Sequence, residues 1–483
     1  MFVAPRVRAS LLPLALGAVL ACGGYATGPV PSTPRVDFVD GAIEPLLVRG
    51  QTIVIEGFGF GDSQGTGAID FPRVGGGAVP APVPPGGWSD RLLRSTVPDS
   101  ATSGVLTVTS ADGRHLTATV HILPHVPFDP ATLAWQSRPV FPGAPAGVAL
   151  AVAAEPQGSG LRIAVYAAGG GEPRGGDSSI VPDSAVFTSH ATPGGAIGGW
   201  TRQPVLPAPR AYAAAVAANR FNSRLNGHVV YVIGGVDSAG RPRATVFQAL
   251  GSADTALGPF TTIEALPGPV AGAMAVVRRG RIYVMGGTDS LGRPQTNVFV
   301  GRIGLDGHID GWFVEPSLPT PRAYGGGVVL DDRVTVFGGM ADSAPAGGGL
   351  DTLQTRLSSA DSAPSSLLSG FFTGVWAPAA APFAQGRSQF ATLPFGDVIL
   401  VVGGVYAGAA GGGAEMLAAS VSGDSLGNFT GPVGTNTILA LGGGALVGPG
   451  GITWLDGDGT GHGLVLGGVD LVSRERRAAV WGF

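Results

Sequence analysis

Two loops of this 483-residue chain carry one charged phrase, Asp237-Ser238-Ala239-Gly240-Arg241-Pro242 and Asp289-Ser290-Leu291-Gly292-Arg293-Pro294, and its Asp-to-Arg offset returns at Asp470 and Arg474. Such loops either offer polar contacts to a ligand, or each Asp caps its own turn and pairs with its own Arg. Arg210 and Arg322 close the phrases Leu206-Pro207-Ala208-Pro209-Arg210 and Leu318-Pro319-Thr320-Pro321-Arg322. Their guanidinium groups, like that of Arg387, serve a bound partner or pack their stems between repeats.

Other chemistries find little support. Lysine is absent and all 29 basic residues are Arg, so the chain has neither a Schiff-base amine nor a phosphate-loop lysine. His115, His121 and His125 fall close together, but no carboxylate or thiol shares their spacing, which reads as a surface strand. His190, His228, His308 and His462 are scattered. Asp456-Gly457-Asp458-Gly459-Thr460-Gly461 opens like a calcium loop, yet Gly467 stands where the twelfth-position Glu belongs, so a tight hairpin turn is expected. No Gly-x-Ser-x-Gly elbow joins a strand to a helix. The expectation is a chain without catalytic residues, metal or cofactor.

The elements that carry these loops announce themselves by repetition. A buried-strand phrase ending in Gly-Gly returns at Gly170, Gly235, Gly287, Gly339, Gly404 and Gly468, at separations of 65, 52, 52, 65 and 64 residues. Gly and Pro make up about a quarter of the chain, a level at which low complexity competes. Apolar runs such as Val229 to Ile233 keep fixed offsets from the glycines, and a disordered tract would lack that register. Each repeat reads as four strands, clearest at Ala211 to Ala218, His228 to Gly234, Arg243 to Leu250 and Phe260 to Leu266. In such a unit the loop after the second strand shares a face with the linker leaving the fourth. Asp237, Arg241, Asp289, Arg293, Asp470, Arg474, Arg210 and Arg322 therefore define a candidate binding face.

Gly199-Trp200 and Gly311-Trp312 precede the two Pro-Arg phrases, with weaker copies at Trp376 with Arg387 and at Phe260 with Leu266-Pro267. Trp, Pro-Arg and Gly-Gly at these offsets resemble kelch repeats, and the resemblance implies a six-bladed β-propeller over residues 126–483. Departures fall in the third repeat, where Gly268-Pro269-Val270 lacks the Arg, in the first, which has no Pro-Arg, and between Thr435 and Leu455. The last repeat ends at Arg477 to Phe483 as a third strand. Ala131 to Trp135 is expected to supply its fourth and remove an exposed edge.

Upstream, residues 36–125 alternate with period two between closely spaced turns, as a β-sandwich does. Gly57-Phe58-Gly59-Phe60-Gly61, Trp88-Ser89-Asp90 and Gly104 to Val108 in that order resemble an IPT/TIG domain, an immunoglobulin-like sandwich. The resemblance implies placement more than chemistry. The fold class expected is thus all-β, a small sandwich followed by the propeller.

Residues 1–22 read as an export signal: Arg6 and Arg8, an apolar stretch from Ala9 to Leu20 broken by Pro13, then Ala21-Cys22. The ending resembles the bacterial lipobox, which implies lipid attachment at Cys22, the chain's single cysteine. Residues 23–35 have the composition of a tether. The mature chain, with 27 Arg against 33 acids, has no phosphate-neutralising stripe, so nucleic acid is not an expected partner. The reading is a non-catalytic lipoprotein of the cell envelope, anchored in the outer membrane and binding a protein or glycan. The alternatives are a carbohydrate-active kelch enzyme, sialic-acid-handling or resembling the copper enzyme galactose oxidase, and a structural subunit of an envelope complex.

Overall fold

The structure, a computed structural model, describes residues 33–143, 145–157, 160–173, 180–219, 227–252, 256–304, 306–342, 355–366, 370–379, 382–406, 415–433, 446–470 and 477–483. Cys22, Arg474 and most of the stretch read as tether lie outside them. The described chain is all-β in many small sheets, and its one helical element is a 3-10 turn at Pro130–Thr132.

The first 90 or so described residues form two sheets, one of three strands and one of five, closing over a shared core of Ile53, Ile55, Phe60, Phe71, Leu93 and Leu106. The first strand, Arg35–Val39, begins on the last residue of the stretch read as tether. Of the two phenylalanines in the Gly-Phe-Gly phrase, Phe60 is buried, while Phe58 is half-buried beneath the Arg91 guanidinium.

Beyond Trp135 come six four-stranded antiparallel sheets. Their innermost strands are Ala149–Gln157, Ala214–Asn219, Met274–Arg278, Gly326–Leu330, Ala391–Pro394 and Gly450–Leu455. Each touches the next and the last touches the first, a closed cycle. Second strands such as His228–Ile233 are buried at every position because neighbouring sheets cover both faces, which explains their richness in Val and Ile.

The Gly-Gly pairs join the sheets. The second glycine of each donates its N–H to a carbonyl in the linker that opens the next sheet: Gly170 to Arg210 at 2.8 Å, Gly287 to Arg322 at 2.9 Å and, across the closure, Gly468 to Pro145 at 3.4 Å. The first glycine lies under that carbonyl. A Cβ on Gly286, whose φ is +62°, would sit 2.2 Å from the Arg322 oxygen, so both conformation and space demand glycine. The bond uses the backbone alone, which is why Val270 and Leu446 replace Arg in two linkers without breaking it. On the rim the linker tryptophans repeat a second contact, the indole N–H of Trp200, Trp312 and Trp376 donating to the carbonyls of Pro139, Glu264 and Pro316.

The closing strand is Gln136–Arg138, paired with Val480–Gly482, directly after the segment expected to provide it. Residues 131–135 do other work. Asp129 caps the 3-10 turn, and Trp135, 2% exposed, meets Phe483 edge-on at 4.8 Å and plugs the core of the closing sheets.

Candidate functional site

The inner strands surround a channel of about 530 Å³ lined by residues such as Val148, Ala215, Val276, Gly327, Thr392 and Gly451, with no charged residue among the described residues of its wall. Inner strands are sheet edges, and edge strands leave backbone N–H and C=O groups unpaired. The described wall is therefore neutral, and its polarity comes from the main chain and the hydroxyls of Thr392 and Thr453.

At the Gly-Gly end of the channel one residue per sheet takes a positive φ: Gly147, Tyr212, Gly272, Tyr324, Gln389 and Gly448. Backbone bonds of 2.8 to 2.9 Å run from sheet to sheet among them, from Tyr212 N–H to Gly147, Gly272 to Tyr212, Tyr324 to Gly272, Gln389 to Tyr324 and Gly448 to Gln389. Three of the six are not glycine, and a left-handed tyrosine costs about 1 kcal/mol or more, so the surrounding bonds must impose it. Each tyrosine ring fills space above the glycine before it: a Cβ on Gly147 would meet Tyr212, and one on Gly272 would meet Tyr324. The two rings touch edge-to-face at 5.5 Å over the channel mouth. Burial raises both hydroxyls, that of Tyr324 to about 12, so both stay protonated donors at neutral pH.

The charged loops rise around this mouth on the same face, because Val236 bridges both to Ala211 of the linker and to Pro242 of its own loop. Their side chains are spent locally. Asp237 accepts from the backbone N–H of Ala239 and Arg241 at 2.9 and 3.0 Å and pairs with Arg241 at 3.3 Å. Asp289 repeats this with Leu291 and Arg293, whose Nε and Nη2 grip it at 2.9 and 2.7 Å. Burial pushes Asp289 up, but the Arg293 side chain and the backbone donors outweigh it and hold the carboxyl below its ordinary range. Arg241 and Arg293 remain 66% and 59% exposed and can reach a ligand with their free donors. Asp470 ends a short strand paired to Leu446–Val447.

Arg210 and Arg322 correct the sequence reading. They are 3% and 0% exposed, so solution does not reach them. Arg322 donates from Nη1 to the Gly338 carbonyl at 2.8 Å and from Nη2 to Asp361, both in its own sheet. Arg210 donates to Thr245 at 2.6 Å and lies over the Phe247 ring, and Arg387 donates to Gly403 and Glu415. Each ties a linker to the sheet it opens, which sequence alone cannot separate from a ligand-binding role. Tyr212 and Tyr324, by contrast, were missed; the signal was a second copy of Pro-Arg-Ala-Tyr, at 209–212 and 321–324.

The histidines stay apart. His228 is held between Glu155 at 2.7 Å and the Tyr166 hydroxyl at 2.8 Å, all buried. His462 bonds Asp456 at 3.0 Å, and that carboxylate also accepts from Gly194 N–H. Asp456 to Thr460 forms a closed hairpin turn.

Part of this chain is similar to two curated proteins of Limulus polyphemus. Alpha-scruin is 28% identical over 112 residues, 23% of this chain and 12% of the scruin. Beta-scruin is 27% identical over 142 residues, 29% of this chain and 14% of that protein. This similarity and the many small all-β sheets fit a kelch-like fold. The match thus spans about an eighth of either relative's length. No family model matches the chain.

Proposed function

We propose that the chain is a non-catalytic binding protein, a six-bladed kelch-like propeller with an immunoglobulin-like sandwich, exported and anchored through Cys22 in the cell envelope, that recognises a protein or glycan partner on its Gly-Gly face. The observation that carries the reading is the character of that face. A neutral channel is capped by two tyrosines and rimmed by exposed arginines and the 69%-exposed Leu291, a mixture of aromatic, apolar and cationic groups suited to recognition. A carbohydrate-active enzyme would need Asp, Glu and Arg converging on the central depression, and the channel wall is Gly, Ala and Val with a few larger apolar residues and threonines. The membrane anchor and envelope location rest on the amino-terminal sequence.

The test is capture from envelope extracts and on a glycan array by the acylated protein, beside a triple variant Leu291→Ala, Arg241→Ala, Arg293→Ala. These side chains are exposed, so the variant keeps its melting temperature. Loss of one captured species supports the reading; capture undiminished by the variant removes this face from it.

A further inference from the structure

The face opposite the Gly-Gly pairs lies where the first strand of each sheet ends and the second begins. Among the described residues the sandwich, or the segment just after it, touches this face at the third to sixth sheets and shares a cavity with the first two. Asp40 to Leu46 of the sandwich and the inner-strand ends of the first three sheets, among them Ala154 and Asn219, enclose a cavity of about 360 Å³. Ala217 and Val277 line both this cavity and the channel, so the two spaces adjoin. At the third sheet Arg279 pairs with Asp40 at 2.8 Å, and at the fourth Arg94 pairs with Asp331 at 3.2 Å and Asp332 at 2.9 Å. At the fifth the Phe128 ring stacks on Phe395 at 3.8 Å while its N–H donates to Asp397. At the sixth a Cβ on Gly459 would strike the Pro124 carbonyl.

Two of these contacts are shaped for each other. The turns Asp40-Gly41 and Arg279-Gly280 both carry positive φ and meet tip to tip, so closely that a Cβ on Gly41 would lie 2.3 Å from the Arg279 Cα. Asp40, Arg279 and Asp331 are three of only six non-glycine residues with positive φ among the described residues, and all three pair across the junction of sandwich and sheets. Asp332 accepts from Arg94, Arg278 and Arg279 at once, joining the sandwich to two sheets.

We infer that the sandwich is a fixed base and not a swinging spacer: it is seated on the lower mouth of the channel, leaving the Gly-Gly face as the one offered to a partner. The choice of face rests on the binding role proposed above; the seating does not. A single native cysteine makes the test direct. In a Cys22→Ser background, Asp62→Cys on the sandwich and Ser425→Cys on the sheets take spin labels, and the interlabel distance should be one narrow population. Gly41→Leu should broaden it, as should Asp332→Asn, which changes no volume. In a separate chain, Ala217→Cys should react slowly with a bulky maleimide and several-fold faster once Gly41→Leu is added. Circular dichroism and melting of each variant confirm that the sheets are intact. A broad distribution in the parent, a narrow one that survives both substitutions, or fast alkylation of the parent would each overturn the seating. Because no partner is present in these measurements, they are independent of the binding role.

Discussion

On the Gly-Gly face the same backbone bond is made at each junction, from Gly170 to Arg210 round to Gly468 and Pro145, whereas on the base Asp40, Arg94, Arg279 and Asp332 each make a contact that occurs once. The first set depends on main-chain geometry and tolerates Val270 or Leu446 where Arg is usual. The second depends on particular charges. Repetition closes the cycle, and single residues decide what is mounted on it. The arginines obey the same division: Arg322 is interior and serves the repeat, while Arg241 and Arg293 are exposed and available.

The comparison breaks most visibly at Arg322. Arg322→Ala leaves the buried Asp361 carboxylate without its cation and should cost about 3–5 kcal/mol, read as a large fall in melting temperature. Arg94→Ala on the base, whose pairs are partly solvated, should cost roughly 1 kcal/mol or less. Equal losses from the two would mean that the repeat and the base are held by contacts of the same kind.

An intermediate effect is expected from pH at the base. Burial raises Glu56 of the sandwich from 4.5 to about 7; Arg281 and Arg279 oppose the rise, and Asp40 and Asp37 add to it. The folded state therefore holds this proton more tightly than the unfolded chain. Its contribution is complete below about pH 4.5 and is lost as pH rises through 7, a change on the order of 1–3 kcal/mol. Melts of the parent between pH 5 and 8 should show this slope against Glu56→Gln, which lacks it. Identical profiles would mean that Glu56 titrates normally.

The smallest effect belongs to the exposed loops. Arg241→Ala and Arg293→Ala should each shift stability by no more than about 0.5 kcal/mol, since the backbone donors retain Asp237 and Asp289. A loss of several kcal/mol would show that these turns help to hold the cycle.

Much of the fold was legible because its demands are local. The Gly-Gly pairs mark left-handed turns, the apolar run Val229 to Ile233 marks a strand covered on both faces, and the Asp-Ser-x-Gly-Arg loops mark side-chain-capped turns. The closing strand was read a few residues early because Trp135 looks like a linker tryptophan, although its ring serves the core and pairing starts at Gln136. The site was read less well. Arg210 and Arg322 have the composition of ligand contacts, and only packing shows that Thr245, Gly338 and Asp361 occupy their donors.

The sequence alone determined which residues must turn, which must be strand and at what interval the unit repeats, since backbone conformation and alternating burial act over a few neighbouring residues. Tertiary structure decided what long-range contact controls: Tyr212 reaching Tyr324, Gln136–Arg138 pairing with a strand more than three hundred residues away, and Asp40 finding Arg279. Those pairings depend on where a closed cycle brings distant turns together, and no local preference of the chain specifies that distance.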